Sequence, residues 1–74
     1  MTELDTAALG LRLRRRREEL GLTLAQLSTR SDTGTSTIHI IEHGRAAPRL
    51  DTLLRLSAAL DMPIADIIGE ADET

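Results

Sequence analysis

Apolar positions fall at helical spacing along almost the whole chain, in five segments. Leu9, Leu13 and Leu20 recur at i, i+4 and i+11. They predict a first helix that starts at Asp5 or Thr6, either of which can cap it, and runs to Glu19 or Leu20, where Gly21 stops it. Thr23 followed three residues later by Gln26 forms a capping box, so a second helix begins at Leu24, with Leu24, Leu27 and Ser28 on its inner face, and ends near Ser31. Asp32 tolerates the left-handed backbone that a tight turn there requires. A third helix follows Gly34 and continues to about His43, with Ile38 and Ile41 as its inward pair and Gly44 as its stop. After a loop at residues 46–48, a fourth helix covers about Leu50 to Leu60, with Leu50, Leu53, Leu54, Leu56 and Leu60 available to the core. Pro63 suits the first turn of a short fifth helix, Ile64 to Ile68, ended by Gly69. No strand pattern and no internal repeat is present. The expectation is an all-α, compact five-helix bundle: one domain over residues 1–74, with its core at 6–68 and an acidic tail at 70–74.

The second and third predicted helices, joined by a tight turn, have the layout of a helix-turn-helix, a motif whose second helix can enter the major groove of DNA. Composition sharpens this reading. The chain has 74 residues, 41 % of them hydrophobic, yet no Phe, Trp or Tyr, so Leu, Ile, Ala and Met must build the core. Single-stranded nucleic acid is usually gripped by stacking on aromatic rings, which this chain lacks, whereas a duplex needs no such platform. The absence of Cys excludes disulfides and thiolate metal sites and is compatible with a reducing cytoplasm, the location expected for a chain with no signal peptide and no membrane span. The net charge of −3 argues against a polyanionic partner until its distribution is considered. All nine arginines lie between residues 11 and 55, where they outnumber the acidic residues, and the last nineteen residues carry five acids and no base. A polyanion would meet the basic middle.

The combined pattern of Leu13, Arg17, Gly21-Leu22-Thr23, Leu27, Ser36-Thr37-Ile38, Ile41-Glu42, Gly44-Arg45, Pro48, Leu53-Leu54, Leu56, Ala59-Leu60 and Pro63 resembles the phage-repressor and Cro-type (XRE) helix-turn-helix family, over roughly residues 9–68. The resemblance implies a lambda-repressor-like fold and sequence-specific binding of double-stranded DNA by a transcriptional regulator, expected to be a repressor. It makes the third helix the reading element. Thr35, Ser36, His39 and Ile40 would face base edges, with hydroxyls bonding to several bases and Ile40 touching a thymine methyl, and Thr37 would join the DNA-binding set. His43, Arg45 and Arg49 would approach the phosphates, and Thr23 and Arg14 would complete the DNA-binding set. Arg17 and Glu42 match positions where an arginine of helix one pairs with a glutamate ending helix three, a bidentate tie that would fix the reading helix. The chain departs from the usual pattern at several positions. Asp32 replaces a small turn residue, Thr33 an apolar packer, and Gly34 a hydroxyl cap. Leu24 stands where a phosphate-contacting Gln is common, and Arg49 where Ser often caps helix four.

The run Arg14–Arg17 points around the helix, so it cannot all reach one partner. Arg14 with Glu18 and Arg15 with Glu19 have i, i+4 spacing, and Arg12 and Arg15 read as solvated surface. Residues 39–43 spell His-Ile-Ile-Glu-His, the inverted zinc-peptidase motif. The chain has no third His and no Cys to complete a site, so no enzyme, metal or cofactor is expected. Leu60, Met62, Ile64, Ile67 and Ile68 supply more apolar surface than a short closing helix needs, which motivates a homodimer formed there. A C-terminal sensor domain in a longer parent is a further expected partner. The alternative function is a helix-turn-helix fold used as a protein-interaction module without DNA.

Overall fold

A computed structural model describes residues 4–69; the expected acidic tail at 70–74 lies outside the described residues. Five helices occur in chain order, with no strand among the described residues: α1 (Thr6–Glu19), α2 (Leu24–Ser31), α3 (Thr35–Glu42), α4 (Leu50–Leu60) and α5 (Ile64–Ile68). Their ends follow from local chemistry. The Asp5 carboxylate accepts from Ala8 N–H at 3.0 Å and starts α1. Leu22 N–H donates to Arg17 C=O and Gly21 N–H to Glu18 C=O, the paired bonds of a Schellman ending. The capping box of α2 is complete: Gln26 N–H donates to Thr23 Oγ1 at 3.0 Å, and Thr23 N–H donates to Gln26 Oε1 at 2.8 Å. Asp32 and Asp61 take left-handed backbone, with φ of 53° and 48°, after α2 and α4.

The core is aliphatic throughout and draws on every helix. Leu9 and Leu13 of α1, Leu27 of α2, Ile38 and Ile41 of α3, Leu53, Leu56 and Leu60 of α4, and Ile67 of α5 are all buried, with Leu22 from the first loop. Each such side chain contributes roughly 1.5–3 kcal/mol by leaving water. Thr33, standing where an apolar residue is usual, is buried with its hydroxyl donating to Ser31 C=O at 3.1 Å, so its polarity is satisfied.

Several expectations are corrected. Leu20 is exposed: the chain leaves α1 there, and Leu22 fills the core in its place. Leu50 and Leu54 are 69 % and 54 % exposed, because they lie about 60–100° around α4 from Leu53, away from the arc that packs. Leu60 and Ile67, expected at a dimer face, are fully buried in the monomer core, and Met62, Ile64 and Ile68 are half-buried against it. Glu19 pairs with Arg16 at 3.5 Å and not with Arg15. Arg12 is not solvated surface, since its Nη1 donates to Ile67 C=O at 3.2 Å.

Candidate nucleic-acid interface

The inner side of α3 fixes its position. Ile38, Ile41 and Glu42 are buried there. Glu42 takes a bidentate pair from Arg17, Nε to Oε2 at 2.7 Å and Nη2 to Oε1 at 3.0 Å, while Arg17 Nη1 donates to Leu22 C=O at 2.8 Å. The two side chains are 12 % and 3 % exposed, so the bond is shielded from water and the polar atoms find partners. The Glu42 hydrogen bond holds the Arg17 guanidinium above its ordinary pKa, against the opposing effect of burial.

Two close approaches of α1 to α3 and its end have no side-chain signature in the sequence. Gly10, buried in the middle of α1, sits against the backbone carbonyls of Ile41 and Glu42; a Cβ there would come within 2.8 Å of Glu42 C=O and closer still to that of Ile41. A glycine inside a helix costs about 1 kcal/mol relative to alanine, and that cost was the available signal of a close backbone approach. Gly44, at φ 70°, ends α3 beside Ala7, and Thr6 Oγ1 donates to Gly44 C=O at 3.3 Å. Arg45 N–H donates to Ile40 C=O and Gly44 N–H to Ile41 C=O, which closes the helix before the loop.

The outer side of α3 is open. Thr35, Ser36, Thr37, His39, Ile40 and His43 are all exposed, Ile40 to 39 %. Gly34 gives α3 no side-chain cap, so its first-turn N–H groups are available to an external acceptor. A hollow of about 300 Å³ lies where α2 begins beside α3, lined by Leu24, Thr35, Ser36, His39 and Ile40. Beyond Ile40 a second, of about 240 Å³, is lined by residues including Thr37, Ala46, Ala47 and Pro48. Leu24, which the family pattern marked as a missing contact, is therefore an apolar wall of the first hollow.

The expected site residues are not all equally free. Thr35, Ser36, Thr37, His39 and Ile40 share the outer side of α3. Arg45 is exposed in the following loop, and Arg49 is exposed beside it with a 3.7 Å approach to Asp51. The Thr52 backbone N–H donates to the Asp51 carboxylate and holds it below its ordinary pKa, with Arg49 and Arg55 adding to the effect. Thr23 is exposed, but its hydroxyl already serves the capping box. Arg14 is exposed and pairs with Glu18 at 3.3 Å. Arg16, two residues on, is engaged in holding the fold: its Nε donates to Leu60 C=O at 2.9 Å and its Nη2 to Asp61 C=O at 3.3 Å.

The His-x-x-Glu-His segment does not assemble as a peptidase site would. His39 and His43 stack with ring centroids 4.1 Å apart, and His43 Nδ1 lies 2.9 Å from His39 C=O. Glu42 turns the other way, to Arg17. Among the described residues no group of three or more His, Cys, Asp or Glu is placed to hold a metal, and no helix is long and apolar enough to cross a membrane.

Solved structures share this arrangement. The restriction-modification controller protein C.AhdI from Aeromonas hydrophila superposes with a TM-score of 0.81 at 29 % identity, covering 88 % of this chain and 98 % of that one. Two structures of the clp gene regulator ClgR from Corynebacterium glutamicum give TM-scores of 0.80 and 0.82 at 31 % and 32 % identity. They cover 95 % and 93 % of this chain, and 91 % and 73 % of theirs. Among curated protein sequences, none matches. The profile of the helix-turn-helix domain family matches residues 8–67. With that match over most of its length, and with five helices in the order that the phage-repressor and Cro-type resemblance implied, the chain belongs to the helix-turn-helix domain family.

Proposed function

We propose that this chain is a sequence-specific, double-stranded DNA-binding transcriptional regulator that reads the major groove with α3, and that it is not an enzyme. The observation that carries this reading is the contrast across α3: one side is locked to α1, and the other presents hydroxyls, an imidazole and an isoleucine to solvent. Arg45 and Arg49, in the loop beyond α3, supply phosphate contacts. The regulatory roles named for C.AhdI and ClgR support the reading. A C-terminal sensor domain in a longer parent draws no support from either relative.

The chain pairs as a homodimer on a two-fold site, which places two α3 helices about one DNA turn, roughly 34 Å, apart. The apolar surface favouring a pair is that of Leu50 and Leu54 on α4, with a smaller share from half-buried Met62, Ile64 and Ile68. Sedimentation of the protein on a single palindromic duplex should give a two-to-one complex; a one-to-one complex at saturating protein would refute the dimer.

DNA binding is tested by selection from a random duplex pool, followed by titration at several salt concentrations. Arg45→Ala should weaken binding about equally on all sequences and reduce the salt slope by about one. Failure to retain any duplex would leave the protein-interaction module as the function.

A further inference from the structure

The outer side of α3 lacks the side chains that read purines through paired hydrogen bonds. Residues 35–43 contain no Arg, Lys, Asn or Gln. Gln26 of α2 has its carbonyl oxygen engaged by Thr23 N–H. What remains is the hydroxyls of Thr35, Ser36 and Thr37, the His39 ring, and Ile40, whose exposure leaves an apolar side chain facing out of a helix that already buries Ile38 and Ile41. Ile40 and the half-buried Leu24 border one hollow of about 300 Å³, with Thr35, Ser36 and His39 completing its lining. The hollow is a shallow depression open to solvent that combines apolar walls with hydroxyl-bearing residues, and Arg45 and Arg49 are exposed in the loop after α3.

A duplex places one apolar group in its major groove, the methyl on C5 of thymine, adjacent to the O4 acceptor. Cytosine methylated at C5 presents the same methyl beside an N4–H donor. A Ser or Thr hydroxyl serves either neighbour, since it both donates and accepts. We propose that the hollow between Leu24 and Ile40 receives the C5 methyl group of a pyrimidine, so that this chain distinguishes thymine and 5-methylcytosine from unmethylated cytosine. The proposal rests on the duplex-binding reading and deepens it: discrimination resides in a methyl group, and a hydroxyl tolerates both hydrogen-bonding patterns next to it. Modified cytosine then becomes a ligand in its own right.

The test uses the full chain and a duplex recovered from a random pool. Each thymine of the bound site is replaced singly by deoxyuridine, which removes the methyl and leaves the hydrogen-bonding edge unchanged. At the thymine seated in the hollow, affinity should fall about fourfold, the worth of one buried CH₂. At the same position, a cytosine–guanine pair should bind more tightly when the cytosine carries a C5 methyl, by about the same factor. Ile40→Ala and Leu24→Ala should each flatten both preferences. Ile40 is exposed, so its variant should melt like the parent, which controls for folding. If the selected duplex binds and no deoxyuridine substitution changes affinity by as much as about twofold, the hollow serves some other occupant and the proposal falls, while duplex binding stands. Full methyl preference retained in both variants would also overturn it, by assigning the effect to DNA shape. Recovery of no duplex overturns this proposal and the functional reading together.

Discussion

The inner and outer sides of α3 differ in burial and bonding: one is packed and paired, the other open. On the inner side, Ile38, Ile41 and Glu42 are buried, two hydrogen bonds from Arg17 grip one carboxylate, and the α1 backbone comes into contact at Gly10. On the outer side, among the described residues, the only side-chain hydrogen bond joins His43 Nδ1 to the carbonyl of His39. An eight-residue helix is too short to hold its shape alone in water. Its rigidity must come from packing, and here packing from one side suffices. The other side is thereby released from any structural duty.

Substitutions at the contact between α1 and α3 should break this contrast most severely. Gly10→Val places branched carbons where two carbonyls already stand, so the helices must separate. The loss should exceed about 3 kcal/mol or prevent folding, with Gly10→Ala the milder and more measurable version. A Gly10→Ala protein that unfolds in denaturant at the parental midpoint would show that the contact is not tight. Next in size is the ion pair. Arg17→Ala leaves Glu42 buried without its partner and should cost about 1–3 kcal/mol, and the Arg17→Ala, Glu42→Ala double variant should cost less than the sum of the singles. Additive losses in the same melts would mean that the two side chains are energetically independent. The smallest stability effects belong to the outer side: Thr35→Ala, Ser36→Ala and His39→Ala should each shift stability by no more than about 0.5 kcal/mol while altering the preferred bases. A loss well above that at any of the three would place the residue in the scaffold and erase the contrast between the two sides.

How well the sequence could be read depended on where each signal lay. Helix bounds were legible to within a residue, because Asp5, the Thr23–Gln26 box, Gly21, Gly44 and Pro63 are local and act through chemistry within one turn. The outer-side residues of α3 were legible as well, once Ile38 and Ile41 fixed which arc faces inward. Which arc of α4 packs was not. Its apolar positions cover too wide a sector for periodicity to rank Leu53 above Leu54. The tasks of Arg12 and Arg16 were hidden for another reason. Their partners are backbone carbonyls at residues 60, 61 and 67, distant in sequence and without any side-chain signature. Arg15 and Arg16 were both within reach of Glu19, and the choice fell to Arg16, which already leans toward α4 to bond its last carbonyls. Leu24 escaped notice as part of the site because its role depends on Ile40, which belongs to a different helix.

The closing helix α5 carries a consequence of a different kind. Five residues long, with no side-chain cap at Pro63, it is held by the burial of Ile67 and by the bond from Arg12 to the Ile67 carbonyl, and it packs on α1 and α4. Such a unit has the least to lose by opening, and in native-state hydrogen exchange the amides of Ile67 and Ile68 should lose protection ahead of those of Leu13 and Leu56. Arg12→Ala should widen that gap. Since the ties that hold α3 run to Gly10, Arg17 and Thr6, an excursion of α5 would leave the reading helix where it is, and the free energy of the first opening would be set independently of the site.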